Sequence, residues 1–364
     1  MIYYWLILIL FLLLAIGSNK NEVSKGDDLR LIIPLTLLFV FFAFRIGFTP
    51  DYYNYEKEFE SNYGNAYNND QYIHKGELIH LTVIRILPYR TALIIQAALL
   101  CFCMFVTFRY YVPRKHWWLA VALFFTYANF LLGNLSAYRS SYVTMALLPA
   151  IIMKAKYKKG WVWAALIIFV SSMIHHSALF LLPFVLLSNR PFGKQSYSFL
   201  VVLACIVIFL SLFMANTINT VVNGIFSQFT DEFDSYKVET IQNARSLGAF
   251  TLLRWFMLGY LLFITLKYTR MDFGVARNIC IKLTAIFFMI DFLPGVMLID
   301  RITYNLAFPV VIGVTSIVDK MTDKNERALF VGMAVFYGIW ELYIMLNSPA
   351  LMAVHSSYQN ILFN

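Results

Sequence analysis

Charge is scarce in this sequence: only 13% of its 364 residues are Asp, Glu, Lys or Arg, against about 25% in a soluble globular domain. With 60% hydrophobic residues and a mean hydropathy of +0.67, that scarcity excludes an ordinary water-soluble fold. Cysteine is scarce too. Cys101, Cys103, Cys205 and Cys280 all lie inside apolar stretches, which argues against a disulfide framework or a thiolate metal site. No GxxxxGK(S/T) loop, no GxGxxG after a strand, no HExxH and no GxSxG is present. Nucleotide, zinc-protease and serine-hydrolase chemistries therefore lack their signatures. The start, MIYYWLILILFLLLAIG, has no leading charge and no small-residue cleavage site, so it reads as a retained first span and not a signal peptide.

What is abundant is apolar sequence in long runs. Because unpaired backbone amides are costly in lipid, spans must be helices or a closed barrel. Runs such as IIPLTLLFVFFAF over 32–44 do not alternate, so helices are expected. The fold class predicted is all-α, a polytopic membrane protein in a single transmembrane domain. About twelve spans fit near 1–17, 31–44, 91–108, 117–133, 138–153, 161–174, 176–188, 198–215, 250–266, 279–297, 302–318 and 328–346.

The intervening segments then fall alternately on two sides. Segments 17–30, 109–116, 154–160, 189–197, 267–278 and 319–327 carry eighteen Lys and Arg against seven acids. The other side carries ten against thirteen, and Lys282 falls within a span. Short Lys- and Arg-rich loops stay in the cytoplasm, so both ends of the chain are expected to point outward. The same rule accounts for the basic pI of about 9.2 with no nucleic-acid partner.

The outward side holds two long loops, 45–90 and 216–249, the first with an amphipathic helix expected over 76–87. Segment 161–188 must enter and return within 28 residues, where two full spans need about 40. Its turn is SSMIHHSA, and pairs 117–153 and 279–318 reverse at GNLSAYRS and LIDR. Broken helices at membrane depth line protein or water, so a polar cavity opening outward is expected, with Arg139, His175, His176 and Arg301 near its wall. Each has a plainer reading. Arg45 and Arg139 can snorkel to headgroups, a histidine can be a satisfied core residue, and Asp300 with Arg301 can be a local ion pair. Asp231, Glu232 and Asp234 read as a solvated acidic face. Their gathering on one side favours a site. A substrate handled there without cytoplasmic nucleotide must arrive activated, and a lipid-linked diphosphate, gripped by cationic side chains, meets that need.

Read in order, these residues resemble EpsG-type, Wzy-like polymerases of bacterial surface polysaccharides. The resemblance rests on Arg45-Ile46-Gly47 followed by Asp51-Tyr52-Tyr53-Asn54-Tyr55, then Glu77 in KGELIH, Arg139 in AYRSSYVTMALL, IHHSALFLLPFVLL, and Arg301 with Tyr304. It covers roughly 40–320. One departure is Arg139-Ser140, where many relatives have Arg-Gln. The resemblance implies a cofactor-free glycosyltransferase that joins oligosaccharide repeat units carried on undecaprenyl diphosphate at the outer face of the bacterial cytoplasmic membrane. A flippase and a chain-length regulator are the implied partners. Arg45, Arg139, Arg254 and Arg301 would hold diphosphate. By analogy with C-type membrane glycosyltransferases Asp51 would be the base, with Glu77, His175 and His176 as the next candidates and inversion at the anomeric centre. Tyr52, Tyr53, Tyr55 and Tyr304 would meet sugar, and arginines would stand in for a metal. The rivals are a flippase, which needs charge through to the cytoplasmic end, and a membrane O-acyltransferase, which draws its donor from the cytoplasm.

Overall fold

In the computed structural model of the chain, residues 2–16, 24–49, 51–64, 76–127, 130–213, 249–293, 302–347 and 358–360 are described. The protein is all-α in class and a membrane protein by its apolar helices and family. Helices Tyr89–Tyr111 and Lys324–Leu346 are, among the described residues, the two long and apolar enough to cross a bilayer by themselves. The others are shorter or interrupted. The predicted span 117–133 is a ten-residue helix, Trp117–Thr126, followed by the short Leu132–Ser136. The predicted span 176–188 is a 3-10 turn, His176–Leu181, running into Leu182–Val185. With helix Gly160–Ser172 before it, segment 161–188 is the short, broken return that its length demands.

Helix starts follow their caps. Lys25–Ala43 begins six residues before its predicted apolar span, because Ser24 and Asp27 form a capping box: Asp27 accepts from the Ser24 amide at 3.0 Å and hydroxyl at 2.8 Å. Asp323 caps Lys324–Leu346 by accepting from the amides of Asn325 and Glu326. Phe11, Phe108, Phe124 and Phe308 form a ring-to-ring ladder through the core, with centroids 5.3–6.1 Å apart. Helices Val275–Ile290 and Ala307–Lys320 pack closely enough that a Cβ on Gly313 would collide with the Thr284 hydroxyl; small residues at such crossings let backbones approach. Large apolar side chains such as Leu13, Phe102, Phe199 and Phe263 face outward, as lipid-facing residues do.

The bundle has two chemically distinct poles. At one, the basic segments interlock. Arg114 is fully buried, bonding Asp27 at 3.0 Å and the carbonyls of Ala15 and Leu14, over the Trp117 ring. Burial would raise the Asp27 pKa, but the Ser24 and Arg114 hydrogen bonds hold it down at about 2. Arg109 pairs with Asp28, Lys115 with Asp319, and Lys267 with Glu326. Lys282, assigned from sequence to a span interior, reaches the carbonyls of Ser188 and Arg190 at 2.5 Å in the loop of this same pole. Asn189 donates to the Lys154 carbonyl and the Phe192 amide to that of Thr269, so described parts of all six basic segments gather at this pole.

At the opposite pole, Arg45–Gly47 and Tyr358–Asn360 form a two-stranded antiparallel pair, Arg45 opposite Asn360. The predicted outer loop 45–90 is structured there. It contains helix Leu78–Ile86, within the predicted 76–87, and a second helix, Tyr52–Asn62, that hydrophobic periodicity does not announce. The second predicted loop, 216–249, lies almost wholly outside the described residues, as do Asp300 and Arg301.

Candidate functional site

The site begins with the turn after helix Lys25–Ala43. Gly47 takes φ +70° and Phe48 φ 49°, a left-handed pair that reverses the chain. At Gly47 a Cβ would also stand 3.1 Å from the Tyr53 hydroxyl. Arg45 anchors the turn from beneath. It is 1% exposed, and its guanidinium donates to the carbonyl of Phe42 (2.6 Å), Gln96 Oε1 (3.3 Å) and the carbonyl of Leu135 (3.1 Å). In that position Arg45 fastens the turn to the bundle and does not present its charge to a ligand at the surface. Gln96 in turn bonds Ser141 and the Asn134 carbonyl. Arg90 grips the turn from the other side, donating to the Arg45 carbonyl at 2.8 Å.

Helix Tyr52–Asn62 leaves this turn at Asp51. At 3.6 residues per turn, Asp51, Tyr55 and Glu58 form one stripe, and Tyr52, Glu56, Phe59 and Tyr63 another. Along the first stripe, Asp51 is half-buried and its Oδ2 accepts from Ser136 Oγ at 3.2 Å. The Tyr55 ring lies tilted against Tyr138, centroids 5.5 Å apart. Burial foremost raises the Tyr55 pKa, opposed by the charge and hydrogen bond of Arg139. Glu58 Oε1 meets His80 Nε2 at 2.8 Å.

The centre of the first stripe's surroundings is Glu77, 2% exposed. Helix Leu78–Ile86 starts on it, and the helix's first amides, Ile79 and His80, donate to the Met173 carbonyl at 3.0 and 3.3 Å. That contact brings the broken return of segment 161–188 against Glu77. Arg139 donates to Glu77 Oε2 at 2.6 Å. Glu77 Oε1 lies 3.0 Å from His175 Nδ1 and accepts from the His176 amide at 3.0 Å. Burial alone would raise the Glu77 pKa, but the His175 hydrogen bond, the Arg139 charge and the His176 amide hold it down at about 2. The doublet is now resolved in space: His175 is buried on Glu77, whereas the His176 side chain is 43% exposed, its Nδ1 3.7 Å from the carboxylate.

The structure therefore brings together Asp51, Tyr55, Glu77, Arg139, His175 and His176 from four separate stretches of chain. Tyr52 sits on the other stripe, between Glu56 and Arg90. Tyr304 approaches through its backbone, its carbonyl accepting from Asn134 and Thr144, and Asn305 accepts from Ser140 at 3.2 Å. Ser140, the departure from the Arg-Gln pair, thus ties its helix to segment 302–305. Arg254 belongs to another cluster, held by Glu341 at 2.8 Å and Asp291 at 3.4 Å beside Tyr337. Arg301 is outside the described residues. Sequence reading overlooked Ser136, Glu58, His80 and Arg90. The helical spacing of Asp51, Tyr55 and Glu58 is the signal that would have found Glu58. Among the described residues no group of three or more His, Cys, Asp or Glu is placed to hold a metal ion.

A family model described as the EpsG family matches residues 28–360. No curated protein and no solved structure matches the chain.

Proposed function

The chain belongs to the EpsG family, and from that premise we propose that it is a membrane glycosyltransferase that polymerises undecaprenyl-diphosphate-linked oligosaccharide units. The family supports a polysaccharide-polymerase-like role in a membrane. We place the reaction on the outer face of the cytoplasmic membrane, because the candidate site lies at the pole opposite the interlocked basic segments and short basic loops stay inside. About twelve passes, several of them broken, would carry the bundle across, in the manner of C-type glycosyltransferases. A flippase would deliver the units and a chain-length regulator would attend the product.

The observation that carries this reading is the division of labour between two carboxylates. Glu77 is buried, fully engaged and held ionised to about pH 2, so it is a poor proton acceptor and a good orienter of Arg139 and His175. Asp51, at the start of the neighbouring helix, is half-buried and accepts from Ser136. In the proposed step Asp51 takes the proton from an acceptor hydroxyl, whose oxygen attacks the anomeric carbon of the donor chain from the side opposite its carrier. The bond from that carbon to the diphosphate oxygen breaks, its electron pair leaves with the diphosphate, and the anomeric configuration inverts. Arg139, aimed by Glu77, and the exposed His176 would face the growing negative charge; Arg301 is the second cationic candidate. Tyr55 would steady sugar.

The test is polymerisation by the purified protein of its own lipid-linked repeat unit, resolved on a gel. Wild type should give a ladder, and Asp51→Asn should slow it by about 10²–10⁴-fold, the usual worth of a general base. A folded Asp51→Asn that polymerises at the wild-type rate would remove Asp51 from the chemistry. No ladder from folded wild type would sink the polymerase reading itself.

A further inference from the structure

Behind the catalytic stripe, the second stripe of helix Tyr52–Asn62 faces a groove that the reaction above does not use. Its volume is about 380 Å³, between that helix and the Pro88–Arg90 turn, and pockets of about 300–1,000 Å³ hold small ligands. Phe59 and Tyr89 form its floor, ring centroids 5.2 Å apart. Glu56 and Glu60 stand on one wall, Arg90 at the inner end, and Tyr63, 51% exposed, on the rim.

We propose that this groove is a saccharide subsite, occupied by a neutral or amino sugar of the acceptor repeat unit. It rests on the polymerase reading and names what that reading leaves open, the place of the acceptor glycan. A pyranose has an apolar C–H face and a rim of paired hydroxyls. An exposed tyrosine ring offers a flat apolar partner for the first. Carboxylates accept from two hydroxyls at once, and a guanidinium donates to others. Two carboxylates against one arginine repel a diphosphate or a uronic acid, and polar walls are wrong for a prenyl chain. The groove also connects to the catalytic turn. Arg90 donates to the Tyr52 hydroxyl at 3.1 Å, which donates to Glu56 at 3.2 Å, and Arg90 holds the Arg45 carbonyl. A sugar seated there lies along the same short helix whose other stripe carries Asp51, so an adjoining sugar can present its hydroxyl around the helix's first turn.

The probe is the water-soluble repeat oligosaccharide, released by mild acid from the lipid-linked pool of the cells that make this protein. It is titrated calorimetrically into detergent-solubilised wild type, Glu60→Gln, Tyr63→Ala and Tyr63→Phe, each checked for unchanged thermal unfolding. Glu60→Gln and Tyr63→Ala should each raise Kd about tenfold, the worth of 1.4 kcal/mol, while Tyr63→Phe retains most of the affinity. In the polymerisation assay the same two variants should raise the acceptor KM and leave kcat near wild type. Wild-type Kd and KM in both overturn the subsite while the polymerase reading stands. Binding that depends on Tyr63 and Glu60 in a protein that forms no ladder does the reverse.

Discussion

Replacing Glu77 by Gln tests whether the buried carboxylate is what holds the site together. A carboxyl kept at about 2 instead of its ordinary 4.5 is stabilised by about 3 kcal/mol in the fold, at 1.36 kcal/mol per tenfold in acidity. Removing one partner of a buried ion pair typically costs about 3–5 kcal/mol, so the two routes agree. The sign follows from proton linkage. Because the folded-state pKa is depressed, the contribution is complete above pH 4.5 and is lost as pH falls through about 2. Glu77→Gln should therefore cost about 3 kcal/mol at pH 7, and about 1.4 kcal/mol at pH 3, where the wild type has already forfeited part of the advantage. Equilibrium unfolding in mild detergent at the two pH values measures both differences. Equal stability of variant and wild type at pH 7, or a gap that does not narrow at pH 3, would refute the assignment of Glu77 as an ionised anchor.

Three further outcomes follow from the geometry. Gly47→Ala forces a side chain into φ +70°, at about 1–2 kcal/mol; since the Tyr53 hydroxyl it meets is at a mobile tip, polymerisation should fall further than stability does. Gly313→Ala should cost about 1–3 kcal/mol through overpacking, with Thr284→Ala in the same chain recovering part of it, because the Thr284 hydroxyl is the atom met. Failure of that double variant to recover in thermal unfolding would mean the helices shift instead. Arg114→Met should cost about 3 kcal/mol by stranding Asp27 and the Ala15 and Leu14 carbonyls; unfolding unaltered from wild type would show that the interlock at the basic pole is dispensable.

Much of the frame was legible because apolar runs and charge asymmetry are local signals. The helix over 78–86 was found by its periodicity, and the six basic segments were grouped by counting. Lys25–Ala43 starts early because a capping box recruits KGDDLR into the helix, a choice made by two side chains that a hydropathy window averages away. Helix Tyr52–Asn62 is not announced by YYNYEKEFESN, which carries two polar stripes, because Tyr52 and Phe59 are buried in a cluster with Leu81, Ile84, Tyr89, Leu93 and Tyr138 from elsewhere in the chain. The histidine doublet could not be separated in sequence, because its asymmetry comes from a 3-10 turn that begins between the two residues and from a carboxylate about a hundred positions earlier. The inward course of Arg45 is set by Gln96 and the Leu135 carbonyl, which no spacing rule connects to it.

The pairing of Arg45–Gly47 with Tyr358–Asn360 also sets an order of assembly. A ribosome makes residue 45 well before residue 360, 315 positions on, so the strand that precedes Asp51 pairs with its partner only after the helices between them have been made. Closing so long a loop is slow relative to the local helix pairs. The turn that leads into Asp51 is thus completed only after residue 360 has been made, so under the proposed function a half-inserted chain has no finished site with which to act on lipid-linked sugars.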